Sequence, residues 1–160
     1  MNEQKQVKEK TQEKKPVEEQ KEHFAIAKAL NLPISTKQSY EIANFLRNKK
    51  LSKAKQILEQ ILKKKIAIPF KRYNRDTGHK PGIASGRYPE KASKEFLMLL
   101  NSVEANADNK GLDNENLIIS ELRSTQGTQQ WHSGRLRRRR MKRTHLYVKV
   151  EESEKWLKKK

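Results

Sequence analysis

Cysteine is absent from this 160-residue chain, which excludes disulfides, thiolate metal sites and cysteine nucleophiles and leaves the redox compartment open. Long apolar runs are absent too. None approaches the ~18 residues of a membrane span, and the N-terminal MNEQKQVKEKTQEKKP lacks the hydrophobic segment of a secretory signal. A soluble, intracellular protein with no membrane partner is expected. Acid is scarce: 19 Asp and Glu stand against 37 Lys and Arg, a formal net charge of +18. Such charge favours nucleic acid first, anionic membrane second and acidic proteins third. Enzymatic constellations are missing as well. His23, His79, His132 and His145 are far apart and lack metal-ligand spacing. Glu151 and Glu152, adjacent at a strand end, point to opposite faces. Ser133-Gly134 sits in no nucleophile elbow, and no Gly-x-x-x-x-Gly-Lys phosphate loop occurs. No catalytic residue, metal site or cofactor is predicted.

What the chain does have is cationic charge, unevenly placed. Residues 1–20 carry five lysines and five glutamates, so the whole excess lies in 21–160. That neutral tail has only Val7 and Val17 as sizeable apolar side chains and is expected to be disordered; a short basic tail, 153–160, closes the sequence. Lysine is spread widely. Arginine is not: of eleven, six lie between positions 135 and 143, with Lys142 among them and no acid. A planar guanidinium suits bidentate phosphate contacts and stacking. A cluster this dense repels itself until polyanion phosphates neutralise it.

Between the tails the pattern predicts one α+β domain, residues 21–152: a three-stranded antiparallel sheet packed against three helices, with a long protruding β-hairpin. The first strand covers 23–30, with Phe24, Ile26 and Leu30 on one face. Ser35 to Gln38 looks like a capping box opening a helix through about Asn48. Ser52 can cap a second helix with an Ala54, Ile57, Leu58, Ile61, Leu62 stripe, ending at lysines 63–65. A third helix starts near Pro89, carries Ala92, Phe96, Leu99, Leu100, Val103 and Ala107, and stops at Lys110-Gly111. Leu117–Thr125 and Thr144–Glu152 read as strands, and about eighteen residues between them hold almost no core-forming side chain. Strands running past the body would make a ribbon with no core of its own, in need of a partner.

Two segments are candidate nucleic-acid contacts. Residues 66–87 lack helical period and read as an irregular loop, with Lys71, Arg72, Arg75, Lys80 and Arg87 against the single acid Asp76, interleaved with Phe70, Tyr73 and His79. Cations alternating with rings suit phosphate contact and base stacking. The second segment is the hairpin end, Arg135, Arg137, Arg138, Arg139, Arg140, Lys142 and Arg143. No recognition helix and no aromatic sheet motif is visible. Positive charge on a helix end, a loop and a hairpin must face several directions, which suits burial in folded RNA better than docking in one DNA groove. A basic DNA-compacting nucleoid protein is the alternative reading, and it shares the same salt dependence.

Several collinear motifs resemble the universal large-subunit ribosomal protein L-twenty-two family, its archaeal and eukaryotic branch in particular. They are Leu32-Pro33-Ile34-Ser35, Pro69 through Lys80 (PFKRYNRDTGHK), Gly86-Arg87-Tyr88-Pro89, Asn101 through Asp113 (NSVEANADNKGLD) and Lys142-Arg143-Thr144-His145, within a match from about 22 to 152. The resemblance implies a non-catalytic protein of the cytoplasmic ribosome that binds and stabilises large-subunit ribosomal RNA beside neighbouring ribosomal proteins. A hairpin at about 116–150 would line the nascent polypeptide exit tunnel. Carried over by position, Trp131, His132, Ser133, Gly134 and Arg135 fall at the tunnel-lining tip. The family often reads Arg-Ala-x-Gly-Arg there, so Trp131 replaces a usual arginine.

Overall fold

The structure, a computed structural model, describes residues 23–152; the expected tails, 1–20 and 153–160, lie outside the described residues. The elements are β1 (Phe24–Leu32), α1 (Thr36–Leu46), α2 (Leu51–Leu62), β2 (Ile68–Pro69), β3 (His79–Lys80), β4 (Ile83–Arg87), α3 (Glu90–Asn109), β5 (Leu117–Gln126) and β6 (Thr144–Glu152). Single 3-10 turns occupy Asn114–Asn116 and Gly134–Leu136. The fold is α+β. It holds two three-stranded antiparallel sheets, ordered β1-β6-β5 and β2-β4-β3, where the sequence pattern predicts one. The second sheet takes in the ends of the expected irregular loop at 66–87, which stays irregular between β2 and β3. Two of its strands have only two residues each, too few to show a period of two, so nothing in the sequence marks them.

In the main sheet the alternation on β6 buries Thr144, Leu146, Val148 and Val150 and turns the intervening side chains outward. Its neighbour β5 buries Leu117, Ile119 and Leu122. The last two are three apart because the register shifts between Ile119 and Glu121; a bulge turns the strand by one extra residue and returns Leu122 to the core face. The helices pack on this face, α3 over β1 and α2, and α1 over β5. Phe96, Leu99, Leu100 and Val103 of α3 meet Ile42 and Leu46 of α1 and Leu51, Leu58 and Ile61 of α2 in one cluster. A fully buried Leu, Ile or Phe contributes roughly 1.5–3 kcal/mol each, so these stripes dominate the stability of the body.

The inward face of β1 is the opposite of the expected one. Ala25 and Ala27 are buried, whereas Phe24 and Ile26 are half-buried and Leu30 is 69% exposed. The reason is steric. With α3 lying directly over β1, methyl side chains allow a close approach, and Asn106 of α3 donates from Nδ2 to the Ile26 carbonyl at 2.9 Å. The Phe24 ring lies instead under the ammonium groups of Lys149 and Lys110, 4.4 and 5.1 Å from its centroid.

Helix ends differ in detail. Ser35 is the N-cap of α1, but its side chain makes no cap bond; Ser39 Oγ donates to its carbonyl instead. α1 stops at Leu46, short of Asn48, because Asn48 turns to φ 63° and donates its N–H to the Ile119 carbonyl at 2.9 Å. Ile119 returns an N–H to the Lys49 carbonyl at 3.0 Å. The α1–α2 connection thereby covers the free edge of β5, an edge that would otherwise offer unpaired backbone groups. Lys50, not Ser52, precedes the first residue of α2, since Leu51 is already drawn into the core at 1% exposure. Pro89 stands at the N-cap of α3 rather than inside it, and Gly111 at φ 69° follows its end, as a left-handed stop requires.

Candidate nucleic-acid interface

Neither cationic segment has a core of its own, so its shape depends on what the body supplies. For residues 71–73 the body supplies Glu41. This α1 side chain is 1% exposed. Its Oε1 accepts the N–H groups of Arg72 and Tyr73 at 2.9 and 2.8 Å, and its Oε2 accepts that of Lys71 at 3.1 Å. One buried carboxylate thus satisfies three successive backbone donors, the arrangement that makes burial of a charge tolerable. Sequence reasoning missed Glu41: an acid on an amphipathic helix looks solvated until a partner some thirty residues away in the sequence is placed beside it.

The clamp sets a stacked cluster. The Tyr40 and Tyr73 rings meet edge to face, centroids 5.4 Å apart at 86°. The Arg72 guanidinium lies 4.9 Å from Tyr40 and 5.5 Å from Tyr73, and its Nη1 donates to the Tyr40 hydroxyl oxygen at 3.0 Å. That hydrogen bond, with the two tyrosine oxygens nearby, raises the Arg72 pKa above its ordinary value. Lys37 reaches over the other side of the cluster, 5.9 Å from the Tyr73 ring. Further along, Arg75 Nε donates to the Lys71 carbonyl, Ser85 Oγ of β4 donates to the Arg75 carbonyl, and Thr77 closes on Asn74. The loop is therefore a built surface. Lys71, Arg72, Arg75, His79 and Arg87 are exposed on it, with Tyr73 and Lys80 half-buried. Phe70 is not part of that surface. It is 3% exposed, a core side chain beneath Arg87 rather than a stacking platform.

The second segment continues the β5–β6 pairing. Strand pairing runs from Leu117 opposite Glu152 to Gln126 opposite Thr144, with the bulge between Ile119 and Glu121. Beyond it the Gly127 N–H donates to the Arg143 carbonyl at 2.9 Å, Met141 to Gln130 at 2.7 Å and His132 to Arg139 at 2.8 Å, with Trp131 bridged to Arg140. Gly127 is buried where the ribbon leaves the sheet; a Cβ there would lie 2.7 Å from Asn31 Oδ1 and 3.2 Å from His145 Nε2. Gly134 turns the end at φ 72°, a conformation that suits glycine.

The arginines divide into two sets. Arg135, Arg137, Arg138 and Arg139 are exposed and, with Gly134, ring a shallow hollow of about 560 Å³. Within the first set Arg137 Nε also donates to the Gly134 carbonyl at 3.2 Å, across the turn at the ribbon end. Arg140 and Arg143 reach to other parts of the structure. The Arg140 guanidinium stacks 4.2 Å over the Trp131 ring, and Arg143 Nη1 donates to the Asn31 carbonyl at 3.3 Å. Trp131 remains 56% exposed, and His132 and Ser133 are exposed beside it. Among the described residues, the ion pairs join Lys55 to Glu104, Lys64 to Glu90, Arg123 to Glu121, Lys149 to Glu151 and His23 to Glu152. None uses a cation of the loop or of the ribbon. Among the described residues no group of three or more His, Asp or Glu could hold a metal, and no helix is long and apolar enough to cross a membrane.

The Trp131–Arg140 stack gives the ribbon a contact that holds its two chains together. Trp131→Ala removes a cation–π contact of roughly 0.5–1 kcal/mol plus ring packing. The amide protons of His132 and Met141 are expected to exchange several-fold faster, while those of Val148 and Val150 in the sheet keep their rates. Equal exchange at His132 in both proteins would show that the stack holds nothing.

A family model described as Ribosomal protein L22p/L17e matches residues 27–151. The chain is 44% identical over 140 residues to the Large ribosomal subunit protein uL22 of Nanoarchaeum equitans, covering 82% of this chain and 80% of that one. It is 41% identical over 148 residues to the protein of the same name from Ignicoccus hospitalis, covering 86% and 93%. Against that of Methanoculleus marisnigri it is 47% identical over 109 residues, covering 66% and 71%. The matched span takes in both cationic segments as well as the body, and the chain belongs to the ribosomal protein L22p/L17e family.

Proposed function

We propose that this protein is a non-catalytic constituent of the large ribosomal subunit that binds and stabilises large-subunit ribosomal RNA in the cytoplasm. Family membership supports the assembly. The observation that carries the RNA reading is the set of four exposed, acid-free arginines at the ribbon end, Arg135 and Arg137 to Arg139. Mutual repulsion in such a tip is relieved where phosphates surround it. The Lys71 to Lys80 loop and Arg87 form a second contact on the body, so the protein joins RNA segments that would otherwise repel. By family resemblance the ribbon lines the nascent polypeptide exit tunnel. Its exposed Trp131, His132, Ser133, Gly134 and Arg135 are the side chains offered to the lumen, and neighbouring ribosomal proteins and the nascent chain are its other partners.

An affinity-tagged copy, followed through a sucrose gradient of cell lysate, tests this. It should sediment with large subunits and remain there after a high-salt wash. Recovery with chromosomal DNA, and not with subunits, would replace this reading with that of a nucleoid protein.

A further inference from the structure

The ribbon and the body enclose a cleft of about 390 Å³. Three of its lining residues are cations from three separate segments: Lys37 on α1, Arg87 at the end of β4 and Lys142 on the returning strand of the ribbon. No acid lines it, and the remaining residues include the amides Asn74, Gln126 and Gln129. Opposed cations around one small space are unfavourable by themselves and favourable around one anion.

The walls are fixed in place. Thr144 Oγ1, fully buried, donates to the Ile34 carbonyl at 2.9 Å. Thr36 Oγ1 lies 2.9 Å from Thr144 Oγ1, so the start of α1 is tied to the base of the ribbon. Lys37 is held against the Tyr73 ring, and Tyr73 is held by Glu41. The base of the ribbon is tied to the body as well, through the Arg143 carbonyl, which accepts from Thr36 Oγ1 at 3.5 Å, and Arg143 Nη1, which donates to the Asn31 carbonyl at 3.3 Å; farther out, Lys142 is exposed and Gln129 only half-buried.

We infer that this cleft is a binding site for a single RNA phosphodiester, and that filling it fastens the ribbon to the body. The phosphate oxygens take hydrogen bonds from Lys37 and Arg87 on one side and Lys142 on the other, and the amide NH2 groups complete the ring of donors. RNA is the source of the anion because the same face continues into the Arg72 cluster and the ribbon arginines, which need a chain of phosphates rather than one. The inference rests on the RNA reading above but is separable from it: RNA can bind the arginine tip with this cleft empty.

The test uses the full chain, labelled for NMR, with two probes at matched ionic strength: inorganic phosphate and a uridine hexanucleotide. Expected are saturable shifts at the Thr36, Gln38 and Gln129 amides with both probes. With the hexanucleotide, amide exchange at Gly127 and Met141 should slow at least fivefold. Lys142→Ala and Lys37→Ala, both at exposed positions that leave the core intact, should each weaken the cleft shifts at least fivefold. Lys53→Ala, at an exposed α2 position that does not line the cleft, should leave them in place. Hexanucleotide binding that shifts the ribbon tip but not the cleft overturns this site and leaves the RNA function standing. Shifts with inorganic phosphate alone overturn RNA as the source. Cleft shifts without slower exchange overturn the fastening.

Discussion

Glu41→Ala is expected to lower the unfolding free energy by about 3 kcal/mol and to release the Lys71–Tyr73 backbone. A hydrogen bond to a charged group contributes roughly 1.5–3 kcal/mol net, and Glu41 accepts three. The simple sum is too large for two reasons. Lys71 and Arg72 are exposed, so water can replace the carboxylate at those two amides. Removing a buried charge also recovers its desolvation cost. Glu41→Gln keeps the shape and the Oε1 acceptor for Arg72 and Tyr73, but sets an NH2 group against the Lys71 N–H; a loss of about 1–2 kcal/mol follows. Urea unfolding gives both numbers, and amide exchange at residues 71–73 shows where the loss arises. If alanine and glutamine variants unfold at the same urea concentration as the parent, the carboxylate is not what shapes the loop. A further consequence separates positioning from plain stability. The Tyr40, Tyr73 and Arg72 cluster should lose its fixed geometry in the alanine variant even at low temperature, visible in the tyrosine ring signals, while core methyl signals stay unchanged.

The triple change Arg137→Gln, Arg138→Gln, Arg139→Gln should have the larger effect on binding. Each phosphate contact contributes ~0.7–0.9 to the slope of log affinity against log salt. Three lost contacts reduce the slope by about 2–3, and at about 0.1 M salt they weaken binding by roughly two to three decades. Stability should fall by little, because these side chains are exposed, take no part in the ion pairs of the described residues, and lose only the solvent-exposed bond from Arg137 Nε to the Gly134 carbonyl. Affinity for a large-subunit ribosomal RNA fragment, measured at several salt concentrations, decides it: an unchanged slope would mean that the three arginines do not touch phosphate. Arg140→Gln is a different experiment, because that guanidinium stacks on Trp131. Its loss disturbs the ribbon as well as the charge.

The sequence shows best those parts in which apolar periodicity and burial coincide. The α2 and α3 stripes, the alternation on β6 and the run of cations at the ribbon end all read directly, since each is a local pattern. Three features do not. The inward face of β1 is misread because Ala25 and Ala27 carry too little hydrophobic weight to outvote Phe24 and Ile26, yet the closeness of α3 selects them. The small β2-β4-β3 sheet has strands too short for a period. Glu41 and its three donors lie thirty residues apart in sequence, and no composition signal distinguishes a clamp from a solvated helix face. The division among the arginines is equally hidden. Only the cross-ribbon pairing brings Arg140 over Trp131 and leaves its neighbours outward.

The order of the main sheet also governs how the body comes into being. β6 is the middle strand, with β1 on one side and β5 on the other, and it is the last strand of the described chain. Contacts between β1 and β6 close very long loops; His23 and Glu152, hydrogen-bonded across them, are separated by 129 positions. Loop closure of that length must be met before the sheet gains anything from it. During synthesis β1, all three helices and β5 therefore appear before the strand that joins them. Until Thr144 and its successors emerge, the apolar stripes of α1 and α3 have no sheet to cover, on a chain whose positive charge attracts any nearby polyanion. The interval between making β5 and making β6 is the period in which this protein is most exposed to misassembly.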